Sequence, residues 1–365
     1  MSAGKGRAGP GIPPQLARVV GRHVLVFSPT IRFRLEPGDR ALVAPGDAVV
    51  PGMPIVERTL EPELVRVGRI AGSDGGRQAR RDEREERRGQ PAPGKWWVGG
   101  GERRRKLVGP KVGPTRAGTL LYETNGSWQA AAGERQETVE SPVGGIVREA
   151  RNAVAVAIEV TGAALPGAIA AGEPSRGYLD VPRLTDGDLW ASALDVGRAG
   201  AVVVAGSRLS AQSISRARAM SIRGLIAGSV GEGELRDLEA SRQRQKASLT
   251  PFVSFGLIAL DGHGRRPLAT PILALLAAMA GREVAIVTDP PLLVFDAAEV
   301  PLPELPPDWI RARSGPHAGR EGRWLRSAGS YRFRGGIHLE AAVVRFADEA
   351  AATVVPVTDL ERFVF

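Results

Sequence analysis

The 365-residue chain contains no cysteine. That excludes disulfides, thiolate metal sites, iron–sulfur ligation and cysteine nucleophiles together. Histidine is scarce: His23, His263, His317 and His338 are scattered, with no His-x-x-x-His pair, so no metal site is expected. Aromatic residues make up only 5% of the chain. Lysine occurs only at Lys5, Lys95, Lys106, Lys111 and Lys246, so nearly all positive charge is carried by arginine. The longest apolar helical stretch, 271–280, falls far short of the roughly 20 residues of a membrane span. Residues 1–14 are polar and rich in glycine and proline, without the apolar segment of a signal peptide. These absences lead to the expectation of a cytoplasmic protein with no membrane span, no metal and no cofactor.

What is present points elsewhere. The chain carries a formal charge of +9 at pH 7 and a pI near 10.6. A basic balance of this size favours polyanionic partners, although an arginine-rich composition alone would give the same figure. Hydrophobic content of 43% is ample for packed cores, and 46 glycines with 28 prolines indicate many turns, as in short-stranded β-structure. The length suits two or three domains. The fold class expected is therefore multidomain, α/β plus all-β.

Residues 1–15 read as a disordered tail. Thr30 to Leu35 alternates Ile31, Phe33 and Leu35 with Arg32 and Arg34, the period-two pattern of a half-buried strand. Two later stretches, Val43 to Gly52 and Glu140 to Glu149, are short apolar runs punctuated by Gly-Asp and Gly-Gly turns, spaced to pair with one another. Together they resemble the two halves of a barrel-sandwich hybrid, the fold of biotinyl and lipoyl domains, which places such a β domain at 16–185. The resemblance implies a carrier lysine at the hairpin tip. Here the tip reads Arg148-Glu149-Ala150-Arg151-Asn152-Ala153. A guanidinium stays protonated and does not replace an acylated amine, so the fold would serve as a scaffold.

Between the proposed halves lies an insertion, 72–114, where arginines alternate with carboxylates and are followed by Lys95-Trp96-Trp97 and Arg103-Arg104-Arg105-Lys106. Its low apolar content predicts disorder or a solvated hairpin arm. Trp96 and Trp97 would stack on bases, and the basic run would contact phosphates. A variable surface loop is the plainer reading.

Residues 195–296 alternate strands and helices, with buried strands at 201–206, 224–229, 252–260 and 283–288. Helices read at 210–220, 232–246 and 270–280. This pattern predicts a parallel sheet with right-handed crossovers. Ligands of such sheets sit beyond the strand carboxyl ends. The residues there are Ser207, Arg208, Ser229, Asp261, His263, Arg265, Arg266 and Asp289, offering phosphate-binding groups and an Asp261–His263 acid–base pair. No Gly-x-Gly-x-x-Gly follows the first strand, and these are also ordinary turn residues.

The final segment, 306–365, contains Ile310-Arg311-Ala312-Arg313-Ser314-Gly315-Pro316-His317-Ala318-Gly319-Arg320-Glu321-Gly322-Arg323-Trp324. With its Gly-x-x-Gly turn at Gly319 and Gly322, it resembles the KOW motif of NusG/Spt5-type elongation factors and some ribosomal proteins. The resemblance implies a small SH3-like barrel in which Arg311, Arg313, Arg320 and Arg323 contact nucleic-acid or ribosomal phosphates. Such barrels also bind protein. The leading expectation is a non-enzymatic protein that binds nucleic acid or a ribonucleoprotein. The alternatives are a small-molecule- or phosphate-binding α/β protein, with or without catalysis, and a structural scaffold with protein partners.

Overall fold

A computed structural model describes residues 14–35, 38–60, 64–70, 96–98, 105–108, 120–124, 127–131, 135–183, 188–247, 254–295, 300 and 302–365. Among these residues the protein is mostly β-strand, arranged in several sheets. There are three α-helices: α1 (Ala211–Ala219), α2 (Glu232–Ala247) and α3 (Thr270–Ala278).

The largest sheet has nine strands. Its centre is four parallel strands, Ser175–Asp180, Ala201–Leu209, Gly224–Val230 and Gly256–Ala259. Because successive strand residues point to opposite faces, their apolar runs build two cores. Val202, Val204, Ile226 and Ile258 meet Ile272, Leu275 and Leu276 of α3 on one face. Val203, Ala205, Leu225 and Leu257 meet Ile214 and Ala217 of α1 and Leu238 of α2 on the other. Ser210 caps α1, its hydroxyl accepting from the Ser213 N–H at 3.1 Å.

The expected all-parallel sheet needs correction. Glu283–Thr288 runs antiparallel to Ser175–Asp180 and turns tightly onto Pro291–Phe295. Glu283 lies level with Tyr178, which pairs with Ala201 at the amino end of its strand. The chain has thus already reached the amino edge of the parallel strands when this strand begins, and it continues past them. Both of its faces stay buried, Val284 and Ile286 on the α3 side and Ala285 and Val287 against a separate β core.

That separate core lies between two small sheets. One contains Arg135–Glu140, Pro54–Leu60 and Arg40–Ala41; the other contains Thr30–Arg34, Ala155–Val160, Gly145–Arg151 and Ala48–Val49. Val49 pairs with Gly145 and Ala48 with Ile146, joining the stretches 43–52 and 140–149. Ile31, Val49, Ile55, Val147 and Ile158 fill the space between.

The sheets do not follow consecutive blocks of sequence. Ala163–Pro166, Ile169–Gly172 and Ser175–Asp180 precede the expected boundary near 185, yet all pair into the nine-stranded sheet. Val20–His23 pairs parallel with Leu360–Val364 in a six-stranded sheet that also contains Trp309–Ala312, Glu321–Arg332, His338–Phe346 and Thr353–Pro356. Leu16 and Val19 are buried beside Ile310, Trp324 and Phe346. The two ends of the chain therefore share one core, and residues 14 and 15 of the expected tail open a 3-10 turn, Pro14–Arg18. Within the insertion, Trp96–Val98 and Arg105–Val108 pair antiparallel, and the second pairs with Leu64–Ile70 in a five-stranded sheet. The rest of 72–114 lies outside the described residues.

Candidate functional site

The carboxyl edge of the parallel strands is where the α/β reading places a ligand. It is filled by the protein's own side chains. Asp261, just past the strand Gly256–Ala259, accepts from Arg311 Nη2 at 2.7 Å, Arg311 Nη1 at 3.0 Å and Arg22 Nη1 at 2.5 Å. Arg311 also donates to the Pro267 carbonyl at 2.8 Å and to Glu361 Oε1 at 3.2 Å. Burial alone would push the Asp261 carboxyl up. The hydrogen bonds and charge of Arg311, with the charge and hydrogen bond of Arg22, outweigh it and hold Asp261 below the ordinary carboxylate value. Burial likewise disfavours the Arg311 cation, and Asp261 and Glu361 reverse that, raising its pKa.

This cluster draws together two sets of residues that sequence reasoning assigned to rival sites. Arg311 is 1% exposed. Its guanidinium is committed to Asp261, so its assignment as a phosphate contact is corrected. Asp261 in turn is no acid–base partner for His263, whose Nδ1 lies 3.0 Å from the Val230 carbonyl oxygen.

The three helix amino termini nearby offer little to an anion. Ser210 caps α1. Glu232 and Glu234 occupy the first turn of α2, where their charge opposes an anion. At α3 the Thr270 N–H donates to Glu321 Oε1 at 2.6 Å. Gly319 explains how the C-terminal sheet comes so close. Its φ of +89° favours glycine, and a Cβ there would stand 2.9 Å from the Pro267 ring.

The remaining strand-end residues are paired as well. Asp188 accepts from the Ser207 hydroxyl, the Ser207 N–H at 2.7 Å, the Arg208 N–H at 3.2 Å and Arg265 Nη2 at 2.8 Å. Burial opposes its charge, but these donors and Arg265 hold its pKa down. Arg208 lies 3.5 Å from Glu234. Ser229 donates to the Ser207 carbonyl, and Arg266 to that of Asp261. Asp289 sits apart, in the turn after Thr288, beside Arg34 at 3.4 Å. No group of three metal-ligating side chains occurs among the described residues.

The expected phosphate-contacting set divides. Arg103 and Arg104 lie outside the described residues; Trp96 and Trp97 fall on one strand of the inserted sheet, and Arg105 and Lys106 on its neighbour. Arg320 is bonded to Asp348 at 2.6 Å and lies 2.8 Å from Glu349, with its guanidinium 4.6 Å over the Phe346 ring. The hydrogen bond that Arg320 donates to Asp348 leads the causes that raise its pKa. Arg323 donates to Asp308 at 2.7 Å. Arg313 is exposed, and its backbone N–H donates to the Asp359 carbonyl.

Sequence reasoning missed a hairpin. Glu321–Arg332 and His338–Phe346 pair from Gly322↔Phe346 out to Arg332↔His338. Twelve residues give the first strand a length of about 40 Å. Its buried part runs from Trp324, Val344 and Phe346 at the base out to Ala342 and Ala341. Arg326, Arg332 and Arg334 further out, and Arg345 at the base, are exposed, and among the described residues none of them is paired with a carboxylate. From Gly322 to Leu339 the sequence contains no Asp or Glu. The one acidic residue that follows in the strand, Glu340, is engaged by Arg18 at 3.2 Å. Arg345 stands directly across from Arg323, a like-charge cross-strand pair that a bound anion would stabilise. The run Tyr331-Arg332-Phe333-Arg334-Gly335-Gly336 carried a legible signal, aromatics alternating with arginines before a Gly-Gly turn.

Among the described residues no helix is long and apolar enough to cross a membrane. The chain matches no protein-family model and no curated protein, so the reading of its function rests on this geometry.

Proposed function

We propose that the chain is a non-enzymatic nucleic-acid- or ribonucleoprotein-binding protein whose contacts are made by the exposed arginines of the hairpin 321–346. One observation carries this reading. Most arginines around the sheets face a carboxylate, as Arg22, Arg58, Arg176, Arg198, Arg242, Arg265, Arg311 and Arg320 do. Arg326, Arg332, Arg334 and Arg345 face solvent instead. Guanidinia held apart from carboxylates are the groups that neutralise phosphates.

In the same reading the six-stranded sheet is an SH3-like module of KOW type. The two small sheets around Ile31 and Val147 are a barrel-sandwich hybrid serving as a lysine-free scaffold. The inserted strands bearing Trp96, Trp97, Arg105 and Lys106 are a second arm. The rival reading, a phosphate-binding α/β domain, has less support, since carboxylates and capping groups already occupy the edge where its ligand would sit.

Salt titration tests the proposal. Binding of the full-length protein to a labelled 20-base-pair duplex should weaken steeply from 50 to 200 mM salt. Four phosphate contacts give a slope of log affinity against log salt near −3 to −4, at about 0.9 per contact. Absence of binding to both this duplex and a single strand of equal length at 50 mM salt would remove the proposal.

A further inference from the structure

The outer face of the hairpin carries more than charge. Tyr331 and Leu339 form a directly opposed cross-strand pair, 43% and 36% exposed. The Tyr331 ring is held edge-on to Phe333, with centroids 5.0 Å apart. Ile337, at the tip, is 61% exposed. On the same face lies Arg326, level with Val343, and Arg334 stands at the turn beyond Phe333. From Leu339 to Arg345 the strand spans about 20 Å, with apolar groups at one end and Arg345 at the other.

We infer that this strip is a platform for single-stranded nucleic acid, on which a base stacks against Tyr331 while Arg326 and Arg345 on the same face, with Arg334 at the turn, hold the adjoining phosphates. The inference rests on the polyanion reading above and narrows its ligand. The charge selects a polyanion, because no carboxylate along this strip neutralises the guanidinia. The ring selects the strandedness. In a duplex the base faces are buried in the stack and only edges and phosphates are presented. An unpaired base has a free face, and stacking on an aromatic side chain tolerates any sequence. Phe333 holds the ring in place, so little side-chain freedom is lost when a base arrives. The register shifts beside Trp324 and Ser327 add local twist, which turns the distal strands relative to the buried base of the hairpin.

The test uses fluorescence anisotropy on the full-length protein at 50 mM salt with four probes. These are labelled oligothymidylate, an abasic strand of equal length, a duplex, and labelled polyglutamate. Oligothymidylate should bind more tightly than the abasic strand. Tyr331→Ala should weaken oligothymidylate binding about 5- to 150-fold, the range expected for one base stacked on one aromatic ring. It should leave abasic and duplex binding within about twofold, and Tyr331→Phe should retain the wild-type preference. Thermal unfolding of Tyr331→Ala should match wild type, because the ring is not part of a core.

Equal losses on all three nucleic-acid probes, or no difference between thymidylate and abasic strands, would overturn stacking while leaving the polyanion reading in place. Polyglutamate binding without oligonucleotide binding would overturn both, and would identify an acidic protein as the partner.

Discussion

Replacing Arg311 by alanine should destabilise the protein by about 3–5 kcal/mol, the cost of removing one partner from a buried ion pair. The Asp261 carboxylate would stay buried, with its side chain 2% exposed, and would keep only Arg22 as a charged partner. The Pro267 carbonyl and Glu361 would lose a donor as well. Because all these groups belong to one network, the Arg311→Ala/Asp261→Ala double variant should cost less than the sum of the single changes. The pH dependence has a definite sign. Asp261 is depressed in the folded protein, so its contribution is present above the unfolded carboxylate pKa of about 3.9 and is lost as pH falls through the lower folded value. Wild type and Arg311→Ala should therefore converge in strong acid. Urea unfolding at pH 7 measures the main effect, and a loss below about 1 kcal/mol would contradict a structural role for Arg311.

The second large effect concerns binding. In the variant Arg326→Ala/Arg332→Ala/Arg334→Ala/Arg345→Ala, the salt slope on duplex should fall by about 3–4 units, roughly 0.9 for each arginine that holds a phosphate. Stability should hold, since exposed substitutions away from caps and cores usually stay within about 0.5 kcal/mol each. Removing Arg345 also relieves its opposition to Arg323. Arg320→Ala is the informative control. Asp348 and Glu349 already neutralise that guanidinium, so its loss should scarcely change the slope. An Arg320→Ala slope change as large as one full unit would show that its pairing with Asp348 and Glu349 does not keep it from phosphate.

The contrast between Arg311, Arg320 and the distal arginines shows where the sequence is legible. Local patterns carried well. The apolar runs at 201–206 and 224–229 became buried strands, Ser210 became a cap, and the stretches around Val49 and Gly145 met as neighbours. Pairings distant in sequence did not carry. Nothing in the composition of Val20–His23 indicates that it lies beside Leu360–Val364, because a parallel partner leaves no turn signal between the strands. The direction of Glu283–Thr288 was hidden for a similar reason: Val284 and Ile286 alternate with Ala285 and Val287 in either orientation.

Arginine was the hardest residue to assign. Arg311 looks identical in the sequence to Arg313 two positions on, yet the first is buried against Asp261, fifty residues earlier in the chain. Which arginine is paired depends on the carboxylate opposite, and that is a property of the fold. Arg332 and Arg334, by contrast, could have been singled out from their alternation with Tyr331 and Phe333 before the glycine turn. The KOW-like stretch drew attention to its base, where Gly319 packs on Pro267, while Arg326, Arg332 and Arg334 lie further along the same hairpin.

Amide hydrogen exchange on the full-length protein, with and without a saturating oligonucleotide, is the most direct test of where the polyanion binds. The expected result is slowed exchange in peptides covering residues 326–345, with peptides covering 256–270 unchanged, because the Asp261–Arg311 edge is already closed by the protein itself. Slowed exchange at 256–270 with an unaltered hairpin would contradict this assignment and return the site to the carboxyl edge of the parallel strands.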